Sequence, residues 1–271
     1  MLSQDIKNYA KKIDIDLVGI ASIDRFKDLP EWAHPSSILP ECSSVIVVAQ
    51  QIPRGYLRGI EEGTHWIEPN LDVDRRLIHL LGRFIEDHGW EAVPVPRLPL
   101  ERWPEGIPVS PNKPAPNVTI PFDYAAVAAG LGEIGYCKVF LTPEFGPLQQ
   151  LGVILTDAPL EPDPIFNGKI CDVDRCLKCV DACPFNAISS ERRKEVNVAG
   201  KIMIYGEINF NICRKCPNGA FPNRVYPEKG EPNRLAASCI RSCLVYLESS
   251  GKLKIKYNQP FRKREPWLIK W

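Results

Sequence analysis

Eight of the ten cysteines in this 271-residue chain crowd into 73 residues of its C-terminal half. They are Cys171, Cys176, Cys179, Cys183, Cys213, Cys216, Cys239 and Cys243. The N-terminal sequence lacks the basic and apolar regions of a secretion signal, so we expect a cytoplasmic protein. Structural disulfides are disfavoured in a reducing cytosol, and a dense cysteine array there indicates a metal site.

The spacing within the first group of cysteines indicates which metal centre is involved. Cys176, Cys179 and Cys183, followed by a proline, match the last three cysteines of the bacterial ferredoxin run C-x2-C-x2-C-x3-C-P. The first cysteine of that run would stand at position 173, which is valine here. Cys171 lies two residues earlier and fills the place if the loop bulges.

The second group repeats this pattern with an insertion between its second and third cysteines, as expected for a two-cluster ferredoxin. In such ferredoxins the last cysteine of each run binds the other cluster. This rule predicts two ligand sets: Cys171, Cys176, Cys179 and Cys243 for one 4Fe-4S cluster, and Cys183, Cys213, Cys216 and Cys239 for the other. One cluster plus a zinc ion, or disulfides, are the alternatives, and the C-x3-C-P ending with the count of eight favours two clusters.

The sequence before the cysteines predicts a mixture of helices and strands. Helical periodicity predicts helices in SQDIKNYAKKI, DVDRRLIHLLGRFIEDHGW and RLAASCIRSCLVYLESS, with Ser3 and Asn233 as caps of the first and last. Short apolar runs predict strands in DLVGIASI, SSVIVVAQQI, EAVPVP and LGVILTD. Nine prolines between residues 94 and 121 predict an extended loop.

A glycine-rich turn follows a predicted small-residue helix in AAVAAGLGEIG. Gly130, Gly132 and Gly135 lack side chains, so a large flat ligand or another backbone segment can approach them closely.

Several motifs in order make the chain resemble the epoxyqueuosine reductase and reductive dehalogenase superfamily. They are HPSSILPECSSVIVVAQQIPRG, AGLGEIG, TPEFGP and LGVILTDAPL, followed directly by the cysteine array. The resemblance extends to about residue 250 and implies an α+β chain. It implies a nitroreductase-like α/β, cobalamin-binding domain at 1–160, a ferredoxin-like domain with two 4Fe-4S clusters at 161–250, and a basic aromatic tail at 251–271.

The resemblance also implies a reaction. Electrons from a reduced ferredoxin or flavodoxin-type donor would pass through both clusters to a bound corrinoid (cobalamin), which would reduce a small organic substrate. The positions expected to contact the corrinoid are Gly130, Gly132, Gly135, Cys137, Phe145 and Gly146. Asp123, Tyr124 and Tyr136 flank the glycine turn and are candidate catalytic proton donors.

Two departures from the superfamily pattern keep other functions open. Pro121-Phe122-Asp123 stands where many relatives have Ser-His-Arg or Ser-His-Lys, and Gly135-Tyr136-Cys137 replaces Gly-Lys-Asn. These differences favour the alternative of an electron-transfer or activator protein without a substrate of its own. A third possibility is an epoxyqueuosine (tRNA) reductase, although the aspartate of those members falls at Pro116.

Charge and hydropathy bear on the partners. The net charge of +1 creates no strong global field, so nucleic acid is an unlikely partner on this ground. No apolar run reaches the length of a membrane span, so we expect none.

Overall fold

The computed structural model describes residues 2–65, 75–95, 118–221 and 231–269. Its helices are α1 (Leu2–Lys12), α2 (Arg58–Glu61), α3 (Arg75–Glu86), α4 (Phe122–Ala128), α5 (Lys178–Asp181), α6 (Phe210–Cys213) and α7 (Ser238–Ser249). Its strands are β1 (Leu17–Ser22), β2 (Ser44–Gln51), β3 (Ala92–Val95), β4 (Glu133–Ile134), β5 (Phe140–Leu141), β6 (Gln149–Thr156), β7 (Ile188–Val198) and β8 (Lys201–Ile208). The mixture of helices and strands expected from the sequence is confirmed.

A four-stranded antiparallel sheet organises the N-terminal half, with strand order β1-β2-β6-β3. The first six residues of β2, SVIVVA, are all buried. Burial on both faces of the sheet explains why apolar and polar residues do not alternate there. Ile46 and Val48 face a core made with α1 and α3. Val45 and Val47 face the opposite core, which contains α4. The sheet is therefore covered by helices on both sides.

The C-terminal half is built around a long hairpin and a helix. Strands β7 and β8 are joined by Ala199 and Gly200, both with positive φ, as a two-residue hairpin turn requires. Helix α7 packs against α5, and both contribute to a third core. Leu57, Ile60 and Leu148 from the N-terminal half also belong to this core. The elements that carry the cysteines thus pack against residues from both sides of position 160.

The C-terminal segment lies against the body of the protein. Phe261 is buried, and the Trp267 amide donates to the carbonyl oxygen of Glu61 over 2.9 Å. The Ile269 amide donates to the side chain of Asn218 over 2.8 Å. These contacts agree with a tail that packs rather than one that extends into solvent.

Both predicted helix caps are wrong. Ser3 lies inside α1, and its hydroxyl accepts the amide of Glu161 over 2.9 Å. Helix α7 begins at Ser238, five residues after Asn233, whose backbone instead pairs with Phe221. The Ser3 hydroxyl binds a distant segment, whereas the Asn233 side chain accepts the nearby amide of Leu235 over 3.1 Å.

The predicted proline-rich loop falls mainly on residues 96–117, outside the described residues, and so does Pro116. Within the described ranges, no helix has the length and apolar character that a bilayer crossing needs.

Candidate metal centre

Five cysteines line a single small apolar cavity. Cys171 and Cys176 come from the loop before α5, Cys179 from α5 itself, Cys243 from α7, and Cys137 from the turn between β4 and β5. The first four of these form the first of the two ligand sets predicted from the sequence, and Cys137 is a further thiol. Helix α7 presents Cys239 and Cys243 one turn apart on the same face, because residues four apart on an α-helix are neighbours.

The other four cysteines also lie close to one another. The pKa of the Cys213 thiol is raised to about 11, mainly by burial; Arg234 lowers it, and the thiols of Cys216 and Cys183 contribute to raising it. Burial is also the main reason for the raised pKa of Cys239, and the thiols of Cys137, Cys213 and Cys183 add to it. These mutual effects indicate that the second set lies together. Cys213 ends α6, Cys216 follows that helix, Cys239 lies in α7, and Cys183 precedes Pro184.

Backbone amides point at two of the sulfur atoms. The amide of Tyr136 donates to Sγ of Cys171 over 3.3 Å, and the amide of Ala187 donates to Sγ of Cys183 over 3.2 Å. Such donors stabilise negative charge on sulfur, as iron–sulfur sites require.

Burial disfavours the thiolate form at most of these positions. It raises the pKa of Cys171 to about 12 and that of Cys243 well above its ordinary value. A thiol must lose its proton to bind metal, so an occupied site needs compensating positive charge.

Arg234 supplies a buried positive charge at the second group. It is 8% exposed, and it donates to the carbonyl oxygens of Cys137 and Lys138 over 2.8 and 3.0 Å. Burial lowers the pKa of Arg234, but the thiols of Cys239, Cys137 and Cys213 together raise it above its ordinary value. A guanidinium among sulfur atoms fits an anionic group held by those sulfurs.

A single metal ion is a poorer match. Among the described residues, no group of three or more His, Cys, Asp or Glu side chains is arranged to hold one ion. The chemistry of the donor set, four thiols at each of two places with amide donors and a buried cation, fits iron–sulfur clusters.

Basic residues also stand next to the cysteines in the sequence, and one of them is not on the surface. Arg241, between the two cysteines of α7, is fully buried and forms an ion pair with Glu61. Arg175 and Lys178 are exposed. Sequence reasoning missed Arg234 and Glu61, because only their burial marks them out.

The candidate proton donors are engaged in the protein interior. The Tyr136 hydroxyl contacts the carbonyl oxygens of Ser189 and Ser190 over 2.8 and 3.1 Å. The Tyr124 hydroxyl donates to the carbonyl oxygen of Arg25 over 3.1 Å, and burial raises its pKa. Asp123 opens α4 and has an interaction partner. Their catalytic role stays a prediction.

The glycines of the turn are approached by the chain itself. Gly130, with a φ of 78°, ends α4: its amide bonds to Val127 O and the Leu131 amide to Ala126 O, a helix-end motif that favours glycine. A Cβ on Gly132 would lie 1.9 Å from the carbonyl oxygen of Leu141.

The structure places the six positions predicted to contact a corrinoid in different surroundings. Gly135 and Cys137 line the cysteine cavity, and a Cβ on Gly135 would meet the Leu141 side chain. Gly130 borders a separate groove of about 780 Å³, which Lys7 and Lys254 also line. Phe145 and Gly146 pack in the core that contains α7, Gly146 against the side chains of Leu253 and Leu247. A corrinoid contact at these positions stays a prediction.

Comparisons with known proteins find reductases among the similar sequences. The epoxyqueuosine reductase of Staphylococcus aureus is 26% identical over 219 residues, which are 69% of this chain and 52% of that protein. The tetrachloroethene reductive dehalogenase of Desulfitobacterium hafniense is 42% identical over 72 residues, 26% of this chain and 13% of that protein. No family model matches.

Solved structures show the fold. The epoxyqueuosine reductase of Streptococcus thermophilus has a TM-score of 0.50 at 16% identity and covers 73% of this chain and 55% of its own. Another solved epoxyqueuosine reductase, with a TM-score of 0.47 at 22% identity over 69% of this chain and 52% of its own, contains a tRNA stem loop. The expectation that nucleic acid is an unlikely partner stays a prediction.

The chain spans about half the length of the curated epoxyqueuosine reductases it matches, 52% in the two examples from Staphylococcus aureus and Bacillus cereus. The resemblance that the motifs predicted is confirmed: this chain is related to both the epoxyqueuosine reductases and the reductive dehalogenases.

Proposed function

We propose that the chain is an iron–sulfur oxidoreductase in which two 4Fe-4S clusters carry electrons to a reducible acceptor. The observation that carries this proposal is that Cys171, Cys176, Cys179 and Cys243 line one cavity although they come from both cysteine runs. Cys171, Cys176, Cys179 and Cys243 would hold the first cluster, and Cys183, Cys213, Cys216 and Cys239 the second. When bound, the clusters supply one-electron transfer.

The protein's own residues prepare these sites. The apolar lining around the first set excludes water, which lowers the local dielectric and makes each buried charge matter more. The amides of Tyr136 and Ala187 orient sulfur atoms, and Arg234 offsets negative charge at the second set. Cys137 is a further buried thiol at the first cavity, beside Cys179.

The test is anaerobic reconstitution of the protein with iron and sulfide. Two clusters correspond to about eight iron atoms per chain. Cys179→Ser should lose the first cluster, so its iron content should fall to about half. Cys42→Ser is the matched control: Cys42 is also buried, and burial raises its pKa to about 11, but it lies in the core beside the sheet. Full iron content in Cys179→Ser, or colourless wild-type protein, would reject the proposal.

The acceptor is the second part of the proposal. The named relatives favour a reductase that acts on a substrate, with a corrinoid as the acceptor that the sequence resemblance implies. Reconstitution in the presence of hydroxocobalamin followed by gel filtration tests this. A corrinoid that co-elutes at about one per chain supports the reductase. Full iron content without corrinoid supports the electron-transfer alternative.

A tRNA substrate is a further candidate, because the match to epoxyqueuosine reductase extends over 69% of the chain. It predicts that the iron-loaded protein retains an anticodon stem loop on a native gel, whereas an unmodified hairpin of the same length is retained less.

A further inference from the structure

The position of Cys171 raises a structural question. It precedes Cys176 by five residues, whereas the ferredoxin run places its first two cysteines three apart. A ligand displaced by two residues needs other contacts to hold its backbone, because the local loop geometry no longer does so. The glycine turn supplies such contacts.

Glu133 in β4 holds the backbone at Cys171. Its Oε1 accepts the amide of Ile170 and the amide of Cys171, each over 2.7 Å. The residue is only 5% exposed, so both hydrogen bonds lie away from water. Its other oxygen, Oε2, is 3.3 Å from Nζ of Lys201.

Neighbouring contacts hold the same segment from other directions. Lys201 also donates to the carbonyl oxygens of Phe166 and Gly168 over 2.7 and 3.0 Å, so it links the preceding loop to Glu133. Lys252 donates to the carbonyl oxygen of Ile170 over 2.9 Å. The Tyr136 amide, three residues after Glu133, reaches Sγ of Cys171 itself.

We propose that Glu133 is a positioning residue that fixes Cys171 as a ligand of the first cluster and so makes the displaced spacing workable. The inference rests on the proposed function. A carboxylate suits this place because one oxygen can accept two amides while the other binds a lysine. A buried carboxylate near an anionic cluster is costly by itself, and Lys201 offsets its charge.

Loss of Glu133 leaves two buried amides without their acceptor, which costs free energy and releases the segment. Cys171 then no longer binds its iron atom firmly. A 4Fe-4S cluster with one weakly bound iron atom loses that atom on oxidation. The cluster in its 2+ state gives one electron to ferricyanide and releases one Fe2+, which leaves a 3Fe-4S cluster in its 1+ state.

The experiment compares four variants with the wild type after anaerobic reconstitution of the full chain and brief treatment with ferricyanide. Paramagnetic resonance measures the 3Fe-4S cluster formed per chain. Glu133→Ala should form on the order of tenfold more than the wild type, comparable to the loss seen when outer partners of metal ligands are removed. Cys171→Ser should behave in the same way. Glu133→Gln keeps an oxygen acceptor for both amides and should restore most of the wild-type behaviour.

Glu248→Ala is the matched control. Glu248 also accepts a backbone amide, that of Phe261 over 2.9 Å, and also pairs with a basic side chain, Arg54, but the segment it holds carries no cysteine. It should form no more 3Fe-4S cluster than the wild type.

The outcomes separate the two claims. Wild-type behaviour of Glu133→Ala in an intact iron-loaded chain would overturn this inference alone. Equal loss of both clusters in Glu133→Ala and Glu133→Gln would also overturn it, because that pattern indicates a general loss of folding. A wild-type chain without clusters would overturn the proposed function together with it.

Discussion

Arg234 is a buried cation whose charge is stabilised first by thiols. The residues that raise its pKa are, in order of effect, Cys239, Cys137, Cys213 and Glu231. Reduction of an iron–sulfur cluster adds negative charge, and a fixed cation nearby stabilises the reduced form. Arg234 should therefore set the reduction potential of the cluster in the second group.

Replacement of Arg234 tests this role. In Arg234→Gln the side chain keeps a hydrogen-bond donor but loses its charge, so we expect the potential of the second cluster to fall by roughly 60 mV, equivalent to about 1.4 kcal/mol for one electron. A redox titration followed by paramagnetic resonance measures it. Arg175→Gln is the control, because an exposed charge beside Cys176 is screened by solvent. An equal shift in both variants would contradict a special role for Arg234.

Helix α7 is tied to the rest of the protein by a buried ion-pair network. Arg241 in α7 and Arg262 in the C-terminal segment both pair with Glu61, the last residue of α2. Arg241 and Glu61 are at most 2% exposed. Because Arg241 lies between Cys239 and Cys243, this network fixes the helix that supplies one ligand to each proposed cluster.

Removing the shared carboxylate should be costly. Glu61→Ala leaves Arg241 as a buried, unpaired cation, a change worth about 3–5 kcal/mol in the free energy of unfolding. The melting temperature of the anaerobic protein should fall by roughly 10 °C. Glu62→Ala removes the adjacent carboxylate, which pairs with Arg58 and Arg264 nearer the surface, and should cost less than about 1 kcal/mol. Similar losses of stability in the two variants would show that the buried network stabilises the protein no more than the ion pairs nearer the surface do.

At the scale of the whole molecule, two kinds of core coexist. The sheet packs between two apolar cores that hold it together without any cysteine of the two groups. The third core contains Cys179 and Cys239 and joins the elements that carry the thiols. Metal binding contributes to the stability of the part of a protein that supplies the ligands.

Removal of the clusters should therefore affect the molecule unevenly. Stripping iron with a chelator under reducing conditions should speed amide hydrogen exchange in residues 171–183, 210–221 and 231–249 by at least on the order of tenfold. Strands β2 and β6 should keep their protection, because their partners are apolar side chains and each other. Hydrogen exchange followed by mass spectrometry measures this. A uniform rise in the exchange rate over the whole chain would contradict this difference between the cysteine-bearing segments and the sheet.

Much of the fold could be predicted because its signals are local. Apolar periodicity placed α1, α3 and α7 and the four strands of the main sheet, since a helix or a strand repeats within a few residues. The cysteine spacing predicted the two thiol sets because tight loops bring nearby thiols together. The helix caps failed because the Ser3 hydroxyl bonds to a segment far along the chain, and because α7 begins only after the turn in which the Asn233 side chain accepts the Leu235 amide.

The sequence by itself determined most of the long elements and the resemblance to two reductase families, and it predicted the grouping of eight thiols. Only the tertiary structure decided that Glu133 meets the amide of Cys171, 38 residues away, and that Arg241 meets Glu61, 180 residues away. It also decided that the chain's own backbone lies against Gly130 and Gly132. The physical reason is that burial and charge pairing depend on which distant segments pack together, and no short-range pattern of residue types records that.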